Sequence, residues 1–108
     1  MSYKIATIAN FRIEAKRLIK KYPSLQQELA ELGESLSSNP ALGTSLGNGC
    51  YKIRLSIASK GKGKSGGARV ITHVFVTGST VFLLSIFDKS DKSNISDNEI
   101  KELLKFIE

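Results

Sequence analysis

Cys50-Tyr51-Lys52-Ile53-Arg54-Leu55-Ser56-Ile57-Ala58 is the stretch that decides the fold. Tyr51, Ile53, Leu55 and Ile57 alternate with Lys52, Arg54, Ser56 and Ala58, the period of two expected of a strand with one covered face. Lys52 and Arg54 therefore project together from the face opposite Ile53 and Leu55. Downstream, Arg69 to Val76 is rich in β-branched residues. The turn chemistry of Thr77-Gly78-Ser79 leads from it into Val81 to Asp88, so these strands should form an antiparallel meander. Between the first two strands lies SKGKGKSGG, residues 59–67, too glycine-rich for regular structure and expected to be a mobile surface loop.

Upstream the period changes. Ile5 and Thr7 mark a short β-prone opening, after which Phe11, Ala15, Leu18 and Ile19 fall on one face of a helix that should end near Tyr22-Pro23. Ser24 stands three residues before Gln27, the spacing of a capping box, and Leu25, Leu29, Leu32 and Leu36 continue as an apolar stripe until Asn39-Pro40. Lys16, Arg17, Lys20 and Lys21 are expected on the solvated side of this helix hairpin. After the polar stretch KSDKSN, Ser96 and Glu99 repeat the capping-box spacing, and Ile100, Leu103, Leu104 and Ile107 form the apolar face of a C-terminal helix. The sum is an α+β fold in which a helix hairpin and a C-terminal helix cover one face of an antiparallel sheet, leaving the other face for function.

A chain of 108 residues suits a single domain spanning 1–108. Sixteen Lys plus Arg against ten Asp plus Glu give a net charge of +6, which favours polyanionic partners, nucleic acid first among them. The lone Cys50 excludes an internal disulfide, and the opening MSYKIATIANFR lacks the apolar core of a secretory signal, so a cytoplasmic location is expected. No uncharged apolar run approaches the roughly 18 residues that a membrane span needs.

On the uncovered face, Lys52, Arg54 and Arg69 are expected to gather with the loop lysines Lys60, Lys62 and Lys64, and Lys89 should join them from the end of the last strand. Such a group is a phosphate-sized positive cleft. Other patterns carry less. ASKGKGKS, residues 58–65, satisfies a loose phosphate-loop pattern, and VFLLSIFD imitates the strand and Asp that would hold magnesium. A phosphate loop must open a helix, however, and Gly66-Gly67 leads into a strand. His73 is the sole histidine, so neither a paired-histidine nuclease nor a histidine-rich metal site can be assembled. It reads as a sheet residue, and Cys50 as a small strand residue. Glu28, Glu31, Glu34, Glu99 and Glu102 read as solvated helix carboxylates.

Cys50 to Leu55, then Arg69-Val70-Ile71, then Phe82-Leu83-Leu84-Ser85-Ile86 followed by Lys89, resemble the catalytic half of toxins of the RelE/ParE superfamily. The loop ASKGKGKSGGARVI followed by the strand ending in Phe87 and Lys89 resembles the HigB-type branch in particular. With the helix hairpin, the likeness covers nearly the whole chain. It implies a RelE-like microbial ribonuclease fold and ribosome-dependent cleavage of mRNA, in which a ribose 2′-hydroxyl attacks the adjacent phosphate. It also implies a cognate antitoxin as partner. Carried over to this chain, the catalytic positions are Lys52, Arg54, Arg69 and Lys89. Arginine stays charged and suits phosphate clamping. Crowded cations disfavour one another's protonation, which suits Lys52 to act as base or clamp. Lys60, Lys62 and Lys64 are expected to contact RNA. Phe87 stands where related toxins often place a tyrosine; it can stack on a base but has no hydroxyl. No metal or other cofactor is expected, and free toxin should be monomeric. The alternative within the same superfamily is a noncatalytic toxin of the ParE kind that poisons DNA gyrase, which needs no phosphate-binding cluster.

Overall fold

The computed structural model describes residues 2–60 and 66–107. Lys62 and Lys64 lie outside the described residues. The elements run β1 (Lys4–Thr7), α1 (Ala9–Lys21), α2 (Leu25–Ser38), β2 (Thr44–Gly47), β3 (Cys50–Leu55), β4 (Ala68–Phe75), β5 (Thr80–Asp88) and α3 (Asp97–Leu104). The five strands form one sheet in the order β1-β5-β4-β3-β2.

The meander read from the alternating pattern is present as β3, β4 and β5, with antiparallel pairing throughout. Two features extend it. β1 joins the far side of β5 in parallel, so the sheet is not purely antiparallel. β2, a polar TSLG segment, pairs with β3 through the turn at Gly47, Asn48 and Gly49, all three with positive φ. Its exposed, non-alternating sequence hides it from periodicity, although Asn-Gly before a strand is a hairpin signal.

Register sorts the side chains. Ile53, Val70 and Ile86 stand opposite one another and share one face. The buried residues of the helix hairpin, Phe11, Ala15 and Leu18 with Leu25, Leu32 and Leu36, complete the core against them. The register slips at Leu84, because Ile71 pairs with Ser85 and Thr72 with Leu83. This bulge rotates the strand, so that odd residues such as Leu83 and even ones such as Ile86 meet the same core.

β1 pairs only with Thr80 to Leu83, which leaves the rest of that edge of β5 without a strand. Two side chains one helical turn apart on α1 take its place. Asn10 Nδ2 donates to the Leu84 carbonyl at 3.0 Å, while Glu14 Oε1 accepts from the Ile86 N–H at 3.2 Å and the Ser85 hydroxyl at 2.7 Å. Buried backbone groups must be paired somewhere, and here α1 substitutes for a strand.

Three expectations need correction. Ser24 forms no capping box with Gln27. It is itself helical and makes no side-chain cap bond; its hydroxyl engages Glu28 and accepts from the Ser59 N–H at 2.9 Å. Glu28, expected to be solvated, accepts from the Ala58 N–H at 2.7 Å. The sheet face away from the hairpin is not left open at its centre. Ile71, on that face, is as fully buried as Val70 on the other. The segment after β5 folds back there, with the Lys92 ammonium 5.3 Å above the Phe87 ring and Ile95 and Ile100 buried. The capping box of Ser96 and Glu99 is present with both of its bonds.

Candidate nucleic-acid interface

β3 and β4 place Arg54 directly opposite Arg69, and β5 places Phe87 opposite Arg69 in turn. The next row on the same face is Lys52, Ile71 and Ser85. Three of the four expected catalytic cations therefore share one face. Strand register does this, since cross-strand neighbours have Cβ atoms about 5 Å apart.

Their exposures differ. Arg54 is exposed and Lys52 half-buried, whereas Arg69 is only 3 % exposed, not open as its strand pattern suggests. Its Nη1 donates to the Ala68 carbonyl at 3.1 Å. Burial lowers the Arg69 pKa from its ordinary value, and the neighbouring Arg54 charge lowers it further. Guanidinium remains charged even so. The two guanidinium groups are thus held side by side, one exposed and the other sunk beneath the surface.

Lys89 is exposed at the end of β5. Its N–H donates to the Gly67 carbonyl at 3.1 Å, continuing the ladder by one step, so alternation carries Lys89 to the side of Phe87 and Arg69. Gly67 also permits the close approach of β3 on its other side: a Cβ there would lie 2.1 Å from the Leu55 carbonyl oxygen.

Lys60 does not gather with these cations. Its ammonium pairs with Asp88, next along the strand from Phe87 and therefore on the opposite face, and its side chain is 9 % exposed. The buried carboxylate draws it in beside Tyr22, whose hydroxyl also donates to Asp88, at 3.1 Å. Phe87, expected as an aromatic contact for RNA, is 7 % exposed and belongs to the core, with Lys92 already above its ring. Lys92 is the cation that sequence reasoning missed. It lies in the polar KSDKSN stretch, where nothing periodic announces it, and it pairs with Glu99 of α3.

An open groove of about 610 Å³ runs between α2 and the outer edge of β3, with Leu32 and Ile53 in its lining. Lys52 and Arg54 border it, but so do Glu28 and Glu31. A phosphate entering there would meet carboxylates as well as cations.

Cys50 and His73 are register partners, and Cys50 Sγ lies 3.6 Å from His73 Nδ1. Burial raises the thiol pKa and lowers that of the imidazole. Both shifts favour the neutral forms, so the pair is not an activated nucleophile. Among the described residues no group of three or more His, Cys, Asp or Glu is placed to hold a metal ion, and no helix is long and apolar enough to cross a membrane.

The fold and site thus define a small α+β protein whose sheet carries a cross-strand group of cations. Residues 8–107 match the sequence model of the RelE toxin of the RelE/RelB toxin-antitoxin system, and the chain belongs to that family. Its fold is similar to solved structures of the E. coli RelE toxin. A doubly substituted mutant in the free state superposes with a TM-score of 0.66 at 19 % identity, covering 100 % of both chains. A crystal structure of the isolated toxin gives 0.54 at 20 % identity over 98 % of this chain and 100 % of that one.

Proposed function

We propose that the protein is a ribosome-dependent mRNA endonuclease toxin of the HigB-type branch, a cytoplasmic partner of a cognate antitoxin that acts in the ribosomal decoding site. The observation that carries this reading is the Arg54–Arg69 pair with Lys52 beside it on one sheet face. Two guanidinium groups on facing strands suit a shared phosphate, because each presents a fork of N–H donors to its oxygens. Arg54 and Arg69 hold the nonbridging oxygens of the scissile phosphate and stabilise the charge that grows there. Lys52 acts as base or clamp toward the attacking 2′-hydroxyl, and Lys89 adds a fourth cation. This chemistry asks for no metal. Lys62 and Lys64 contact RNA in the same reading, and the free toxin is a monomer.

Expression of the wild-type chain should halt translation with mRNA cut inside reading frames, and Arg54→Ala or Arg69→Ala should abolish growth arrest. The burial of Arg69 and Phe87 favours a second reading, a noncatalytic ParE-like toxin. Intact transcripts together with a block in DNA supercoiling would select it.

A further inference from the structure

Behind the cationic face, on the side of the helix hairpin, Asp88 is nearly inaccessible and accepts hydrogen bonds through both its side chain and its backbone. Its carboxylate pairs with Lys60 and accepts from the Tyr22 hydroxyl at 3.1 Å and the Ser90 N–H at 2.9 Å. Its main-chain carbonyl accepts from the N–H groups of Asp91 and Lys92, each at 3.0 Å. Lys60 closes the circle by donating to the Ser90 hydroxyl at 2.9 Å. A buried ion pair adds little net stability over apolar packing, so stability alone does not account for this arrangement. The Lys89 N–H meets the Gly67 carbonyl just before this turn, so strand alternation directs Lys89 toward the face of Phe87, and the turn itself carries Lys92 over the Phe87 ring.

We infer that Asp88 is a positioning residue of the cationic site, holding Lys89 on the face of Arg69 from the back of the sheet. This rests on the nuclease reading. A carboxylate suits the task because it accepts from several donors at once. Placing it behind the sheet matters equally: on the front it would repel the phosphate that the cations bind. The negative charge that orders the turn is neutralised by Lys60 and kept away from the RNA side.

The test is steady-state cleavage of a defined mRNA on programmed ribosomes by the purified full-length protein, with thermal unfolding measured in parallel. Asp88→Asn should lower kcat at least tenfold and leave KM within about twofold. The double variant Lys60→Met, Asp88→Leu removes both buried charges, so its melting temperature should recover while kcat stays low, because the Ser90 N–H still lacks its carboxylate acceptor. Adding Lys89→Gln to Asp88→Asn should cause little further loss, as expected when one residue acts through the other. Wild-type kcat in Asp88→Asn, or recovery of rate together with stability in the double variant, overturns the inference alone. A wild-type protein that leaves the mRNA uncut brings down the nuclease reading as well, and that result is visible before any variant is compared.

Discussion

Arg54 and Arg69 face each other across the β3–β4 ladder, one exposed and the other sealed beneath the surface, with no residue between them in register. The sheet tolerates this repulsion without needing it. Arg54→Ala should therefore stabilise the fold by a few tenths of a kcal/mol, up to about 1, while growth arrest is lost. Urea midpoints and plating assays on the same variant read the two effects. A destabilised, still toxic Arg54→Ala would contradict both.

Asp88 supplies a pH signature. Burial by itself raises its pKa, but Lys60, the Ser90 N–H and the Tyr22 hydroxyl outweigh burial and bring it down from the usual carboxylate range to about 2. A depressed folded-state pKa means stability that is present above the unfolded value, near 4, and lost as pH falls through 2. Each pH unit separating the folded and unfolded values corresponds to about 1.4 kcal/mol, so the wild type should lose roughly 2 kcal/mol more than Asp88→Asn between about pH 5 and pH 2. Equal acid profiles of the two proteins would show that the pair is not formed in solution.

Gly67 should tolerate no side chain. The clash of a Cβ with the Leu55 carbonyl oxygen is with backbone, which cannot swing aside. Gly67→Ala is expected to cost about 1–3 kcal/mol or more, and to disturb the step at which Lys89 pairs with Gly67. Denaturant unfolding and hydrogen exchange at the Lys89 amide measure these two consequences.

Ser96→Ala removes one half of the capping box that starts α3. The cost should be about 1 kcal/mol, seen as a lower melting temperature and faster amide exchange at Glu99, with the helix hairpin unaffected. Glu99→Gln should weaken the same turn from the other side, since Lys92, then the Ser96 N–H, hold its carboxyl below the ordinary range.

Much of the architecture is legible from short windows. The alternation that begins at Tyr51, the leucine stripe from Leu25 to Leu36 and the Ser96–Glu99 spacing are each local, and each marks an element where its pattern places it, although β3 ends at Leu55, two residues before the alternation does. Local signals fail where a competing partner is distant in sequence. Ser24 has the right spacing for a cap, yet Ser59 and Glu28 claim its hydroxyl. Lys60 has the composition of a solvated loop lysine, yet Asp88, buried 28 positions away, claims its ammonium.

By itself the sequence determined the three helices and every strand but β2, and that Lys52 and Arg54 leave β3 on the same side, because periodicity is a property of neighbouring residues. Only the tertiary structure decided which cations meet. Register sets Arg54 against Arg69, the bulge at Leu84 turns β5, and the fold-back after Asp88 brings Lys92 over Phe87. Those relationships join residues far apart along the chain, and the free energy that selects them comes from burying the core as a whole, which no single window of sequence contains.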